Sequence, residues 1–367
     1  MKDVKDFQAT LEKHTKQGDF FTRIDEETLQ CFACAHRCKL KAGQYGICKL
    51  RLNHEGSLMV PTGYVAGMQL DPIEKKPFNH FLPGALTLSF GMVGCNFQCS
   101  FCQNWLSAQA LNDSASRFSD RYLHRITAEE IVQSAQVNQV QAIVSTYNEP
   151  LITSEWAIEI FSLAHQAGIN TAFVSNGFGT PEGLEKLAPH LDAMKIDLKA
   201  YSEDTYKDLG GHLQPVLDTI TIARELGIWV EVVTLLVPEM NDSPTELWNL
   251  TRFLAEIDRN IPWHVTAFHP DYKMRDRDRT TALSLKTAAE IGQEAGLHYV
   301  YAGNLPGRVG SLENTYCPQC QHELITRRGF FVGKVRVTPE GKCPNCGAEV
   351  AGLFNNINRR QHYPHMV

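Results

Sequence analysis

The chain has 367 residues, a formal charge of −6 and 43% hydrophobic residues, enough for two or three domains around sizeable cores. The acidic balance excludes a general nucleic-acid binder, and no apolar run is long enough to span a bilayer, so neither nucleic acid nor membrane is an expected partner. The opening MKDVKDFQATLEKHTKQGDF lacks the apolar core of an export signal, which makes the cytoplasm the expected compartment and keeps thiols reduced.

In that setting the 11 cysteines are informative, because every one belongs to a group of four, three or four along the chain. An odd count in a reducing compartment argues against disulfides and for three metal or cluster sites.

Residues 1–84 form the first expected module. It shows no βα alternation and carries Cys31, Cys34, Cys38 and Cys48 in a C-x2-C-x3-C-x9-C pattern with His36 inside. Four thiolates suit zinc, the preferred reading, or a second four-iron cluster. Arg37, Lys39 and Lys41 would offset the charge of either.

Residues 85–305 alternate between strand-length apolar runs and helix-like segments. The runs lie at 85–94, 142–150, 170–177, 193–200, 229–238 and 263–270, with HYVYAGN (298–304) as a candidate seventh. Continuous Val/Ile/Leu runs suit strands buried on both faces of a parallel sheet. Thr127 with Glu130 and Ser243 with Glu246 fit capping boxes, and Pro181 and Pro244 suit first helical positions. Gly168, Gly227 and Gly296 are placed to end helices just before strands. The expectation is an α/β fold, a partial (βα)6 barrel short of eight strands.

The first run leads directly into GCNFQCSFCQ, with Cys95, Cys99 and Cys102 where the first βα loop of a barrel would build its active site. Three thiolates are one short of a closed structural zinc site. A four-iron cluster held by three cysteines instead leaves one iron open to a substrate or cofactor.

Residues 306–367 form the third expected module. CPQC (Cys317, Cys320) and CPNC (Cys343, Cys346) are paired knuckles around a hairpin-like segment, the pattern of a structural zinc ribbon, with a rubredoxin-like iron site as the other reading.

Cys95-x3-Cys99-x2-Cys102, with Phe101 before the last cysteine, resembles the signature of the radical S-adenosylmethionine (SAM) superfamily. Later motifs follow in that superfamily's order. TYNEP (146–150) resembles its acidic motif, with Tyr147, Asn148 and Glu149 as SAM-binding candidates and Glu149 accepting N–H bonds from the SAM ammonium. SNG (175–177) resembles a motif near the SAM ribose and methionine, which implies Ser175 and Asn176. KIDLK (195–199) resembles a strand of glycyl-radical activating enzymes, which implies Asp197, beside a monovalent cation, and Lys199. FHP (268–270) places His269 at a SAM-contacting histidine.

With both flanking cysteine groups, the whole layout resembles the radical SAM enzyme of the AmmeMemoRadiSam system, similar to pyruvate formate-lyase activating enzymes. The resemblance implies a [4Fe-4S] cluster, SAM and a one-electron donor such as flavodoxin or ferredoxin. It also implies hydrogen abstraction by a 5′-deoxyadenosyl radical from a protein or small-molecule substrate, and a Memo-like protein as a candidate partner. Activation of a glycyl radical enzyme is one alternative. A non-catalytic binding protein built from zinc modules is the alternative of another class.

Overall fold

The computed structural model describes residues 4–354; residues 1–3 and 355–367, the outer ends of the first and third expected modules, lie outside the described residues. The core is an eight-stranded sheet whose spatial order follows the chain: β1 (Gly67–Pro72), β2 (Leu86–Gly91), β3 (Ala142–Ser145), β4 (Asn170–Ser175), β5 (Ala193–Asp197), β6 (Trp229–Leu236), β7 (Trp263–Ala267) and β8 (Val300–Gly303). From β2 to β8 every neighbouring pair is parallel. β1 runs antiparallel to β2.

All six expected strands are present. The candidate seventh is β8, so the parallel set has seven members rather than six. β1 lies outside every expected strand and ahead of residue 85, where the barrel was expected to begin. All four residues of β3 and all five of β7 are buried, as continuous apolar runs covered on both faces require.

Among the described residues, six helices of seven or more residues lie between the strands: α1 (Ala128–Val137), α2 (Ser154–Gln166), α3 (Pro181–Leu187), α4 (Gln214–Glu225), α5 (Pro244–Ile257) and α6 (Ala282–Glu294). Their starts obey the expected local chemistry. Thr127 and Glu130 form both halves of a capping box. Ser243 caps α5, but Glu246 turns away and accepts the backbone N–H of Tyr201 at 2.7 Å, so that box is half made. Gly168, Gly227 and Gly296 end α2, α4 and α6 with φ of +70°, +81° and +101°, a conformation that side chains rarely adopt. α2 lays Ile160, Phe161 and Ala164 inward, with the Phe161 ring 5.6 Å from Phe173 of β4.

The N-terminal cysteine-bearing segment has a helix, Val4–Glu12, and short antiparallel strands packed on the sheet's α/β core. Its anchor is a buried ion pair. The Arg51 guanidinium donates to both Glu155 oxygens of α2, at 2.7 and 2.6 Å, and to the Ile152 carbonyl at 3.1 Å.

At the other end, β9 (Thr315–Tyr316), β10 (Glu323–Arg328) and β11 (Phe331–Val335) form an antiparallel sheet, and β10 and β11 supply the hairpin expected between the two cysteine knuckles. No helix among the described residues is long and apolar enough to cross a membrane.

Truncating one member of a buried ion pair leaves a bare charge, at a cost of about 3–5 kcal/mol. Glu155→Ala is therefore expected to lower unfolding free energy by about that much in urea titration. A loss within the error of the titration would show that the Arg51–Glu155 pair does not anchor the module.

Candidate active site

Parallel strands end together, and the loops after their carboxyl ends converge on one cavity. β2 leads into Cys95, Cys99 and Cys102 through Gly94, whose φ is +90° and where a Cβ would lie 2.7 Å from the Leu50 side chain. Gly91, the last residue of β2, allows another close approach: a Cβ there would sit 2.5 Å from the Thr146 carbonyl oxygen. Only glycine lets the TYNEP turn lie this close to the cysteine loop.

The loop is held from several sides. Gln98 donates its backbone N–H to Leu209 at 2.9 Å, and Gln109 Nε2 donates to the Phe97 carbonyl at 2.7 Å. Lys273 N–H reaches the Ser100 carbonyl at 3.0 Å, while the neighbouring Tyr272 ring stacks on Trp105 at 4.9 Å.

The three thiols line a cavity of about 250 Å³ together with Phe101, Tyr147, Asn148, Glu149, Ser175, Asn176, Asp197 and Lys199. These are all of the expected cluster and SAM-binding residues except His269. His269 is exposed at the rim, its Nε2 3.2 Å from the Gln103 amide, and Gln103 itself lines the cavity.

Glu149 is the organiser of the far wall. Its Oε1 accepts from Leu151 N–H at 3.0 Å and the Ser175 hydroxyl at 2.6 Å, and its Oε2 from Asn176 N–H at 2.7 Å. Burial raises its carboxyl to about 7 against the pull of those bonds. A carboxylate oxygen accepts two bonds, so Oε2 keeps capacity for one incoming N–H. Asn176 Nδ2 donates in turn to Asn96 Oδ1 at 2.8 Å, tying the turn after β4 to the cysteine loop.

Asp197 stands between two lysines. Burial pushes its carboxyl up, but Lys195 and Lys199 outweigh burial and hold it at about 2. Lys195 pairs with Oδ1, and Lys199 Nζ lies 3.1 Å from Oδ2. Two ammonium groups thus flank the carboxylate.

Other cavity and wall residues were missed in the sequence. Thr266 and Asn304 line the cavity from β7 and from the residue after β8. Behind Tyr147, whose φ is +72°, the hydroxyl meets Asp71 at 3.1 Å and Lys76 at 3.2 Å. Asp71 sits on β1, the unexpected strand. The polar letters in QLDPIEKKP were the available signal, but nothing in that stretch marked it as part of the sheet.

The chemistry of the donor set fits a cluster. Burial pushes the Cys95 thiol well up, with Glu149 and Cys99 adding to it, and burial followed by Cys99 raises Cys102 to about 12. Such thiols ionise when a metal supplies the positive charge. Among the described residues no three sulfurs here close to within 4.8 Å. In the C-terminal group all four Sγ atoms lie within 4.8 Å, with contacts of 3.6 Å for Cys317–Cys346 and 3.7 Å for Cys320–Cys343. A tetrahedron of ~2.3 Å zinc–sulfur bonds has edges of ~3.8 Å.

Sequence comparison gives the same direction. Residues 90–251 match the radical SAM superfamily. The chain is 37% identical over 338 residues to an uncharacterized protein of Methanocaldococcus jannaschii, covering 91% of this chain and 98% of that one. It is 27% identical to a pyruvate formate-lyase-activating enzyme of Clostridium pasteurianum, over 53% of this chain and 84% of that one. Among solved structures, a radical SAM methyltransferase from Sphaerobacter thermophilus superposes with a TM-score of 0.48 at 15% identity, covering 83% of this chain and 82% of that one.

A lost charge-assisted hydrogen bond costs roughly 1.5–3 kcal/mol, about 10- to 150-fold in Kd. Glu149→Ala should weaken equilibrium SAM binding to the reconstituted protein by that factor. An unchanged Kd would remove Glu149 from SAM recognition.

Proposed function

Since this chain belongs to the radical SAM superfamily, whose members are enzymes that use a [4Fe-4S] cluster and SAM, we propose that it takes a hydrogen atom from a protein substrate. The observation that carries the reading is the meeting of the three thiols with the TYNEP, SN and IDLK residues around one cavity. When bound, the cluster and SAM supply the chemistry: one electron cleaves the sulfonium bond, and the 5′-deoxyadenosyl radical abstracts hydrogen.

The chain's own residues bind, orient and shield. Cys95, Cys99 and Cys102 would hold the cluster. Glu149 Oε2 would accept from the SAM ammonium, while Oε1 holds the Ser175 hydroxyl and Oε2 the Asn176 N–H. Lys199 lies beside Cys99, 5.9 Å from the Phe101 ring centroid, and offsets the thiolate charge. His269, beside Gln103 at the rim, would contact SAM from there.

An activating enzyme of pyruvate formate-lyase among the relatives supports a protein substrate and an external one-electron donor of the flavodoxin or ferredoxin class. The two flanking cysteine groups support the narrower assignment to the AmmeMemoRadiSam system, with a Memo-like protein as partner. The module boundaries near 84/85 and 305/306 belong to that assignment. Four closely spaced sulfurs support one structural zinc in the C-terminal module.

The test is anaerobic reconstitution, dithionite reduction and chromatographic measurement of 5′-deoxyadenosine. The parent should release it, and the Cys95/Cys99/Cys102 triple alanine variant should not. Release at the parent rate by the triple variant would overturn the assignment.

A second expectation concerns the ribbon. Metal analysis should find about one zinc per chain, closed by four thiolates and retained in the triple variant. Cys343→Ser with Cys346→Ser should release it and lower the midpoint of thermal unfolding. Iron in place of zinc at this site would overturn the structural role.

A further inference from the structure

We infer that Cys31, Cys34, Cys38 and Cys48 hold a second, redox-active [4Fe-4S] cluster rather than the zinc that their number first suggests. The inference goes beyond the proposed function and holds whatever the substrate is.

Sulfur spacing separates the two metals. Around one zinc, four thiolates stand ~3.8 Å apart. Around a cubane they stand at its corners, about 6–6.5 Å apart. Among the described residues, the C-terminal four are the one group of ligand atoms from His, Cys, Asp or Glu that closes to within 4.8 Å. The N-terminal four are all described and do not close so far, even in threes.

They are nonetheless gathered. Cys31 N–H donates to the Cys38 carbonyl at 3.0 Å, and Ile47 N–H points at Cys38 Sγ from 3.5 Å, which brings the Cys48 turn against Cys38. Cys31, Cys34 and Cys48 are buried in the main core, with Cys38 packed against it. The four are thus gathered in one place without closing to the separation that the C-terminal four reach.

An independent observation points to an anionic occupant. The Arg51 guanidinium is 2% exposed and lies beside Cys31 and Cys48. Its terminal nitrogens bond Glu155 and Ile152, but its buried Nε has no partner. A buried N–H left unpaired is costly. A thiolate or bridging sulfide in this ligand set supplies the acceptor, and N–H···S bonds of this kind tune cluster potential.

The site abuts the active-site loop. His36 Nε2 lies 2.9 Å from the Asn96 carbonyl oxygen, next to Cys95. A Cβ on Gly94 would be 3.5 Å from the Cys48 carbonyl oxygen. A cluster here takes one electron from a low-potential donor, passing from the 2+ to the 1+ state, beside the loop where SAM chemistry is proposed.

The full chain should be reconstituted anaerobically with iron and sulfide, then analysed for iron, sulfide and zinc and by electron paramagnetic resonance after dithionite reduction. The parent should carry about eight irons, and the Cys95/Cys99/Cys102 triple alanine variant about four with a reducible cubane signal. In the parent background, Cys34→Ser with Cys38→Ser should lower iron from about eight to about four. A folded triple variant with no iron, whether it holds a second zinc or no added metal, overturns the inference. If the triple variant fails to fold, the double variant decides, and unchanged iron there overturns it. A parent that cleaves no SAM while the triple variant keeps four irons would sink the proposed function and leave the second cluster standing.

Discussion

Glu231, on β6, gathers five donors at the amino ends of the strands, and the relative placement of barrel and C-terminal module depends on them. It is fully buried and accepts the backbone N–H groups of Asn79, His80 and Phe81 at 2.9, 2.8 and 3.1 Å. Trp229 Nε1 adds a bond at 3.1 Å, and His264 Nε2 faces it at 2.7 Å. A buried carboxylate without such partners costs several kcal/mol, so the segment before β2 has little freedom to be elsewhere. His80, fixed there, reaches the Ala351 carbonyl and the Tyr301 hydroxyl, both at 2.6 Å. Arg327 of β10 donates to the Asn79 carbonyl at 2.8 Å. One charge thus orders the edge of the barrel and the seat of the C-terminal module together.

The carboxyl ends of the same strands face the opposite problem. There the cavity wall brings together Cys95, Cys99, Cys102, Glu149 and Asp197, against the cations Lys195 and Lys199. With the thiols ionised, five negative groups meet two positive ones in a low-dielectric setting. Protons or cations must restore the balance. Iron would do so for the thiolates, and SAM would bring a sulfonium and an ammonium of its own. The excess of negative charge is therefore a selection for cationic occupants, and the Lys195–Asp197–Lys199 bridge keeps that excess from growing larger.

Much of this was legible in the sequence, for a physical reason. Strands buried on both faces write continuous apolar runs, and helix ends write Thr, Ser, Pro and Gly, so the parallel strands and most caps could be read directly. The cavity was legible through motifs, because residues at the ends of successive parallel strands converge without further information. β1 was not legible. Its GMQLDP has one buried end and a polar middle, and an antiparallel edge strand lacks the signature of its neighbours. Missing β1 meant missing Asp71, and hence the partner that holds Tyr147. Lys195 was passed over because a lysine inside a strand reads as a surface residue, whereas here its charge is spent on Asp197.

The three cysteine groups show where chain spacing stops being enough. Two sets of four thiols are both compatible with zinc on count alone, and spacing along the chain leaves them unresolved. Distance between sulfurs is a property of the fold. It is set by how the turns between the cysteines are pinned: by the β10–β11 hairpin in one case, which brings two tight knuckles face to face, and by the Cys31–Cys38 and Cys38–Ile47 contacts in the other, where the sulfurs do not close to within 4.8 Å. The same side chain, repeated four times, can thus be gathered tightly or loosely, according to backbone hydrogen bonds that no cysteine count contains.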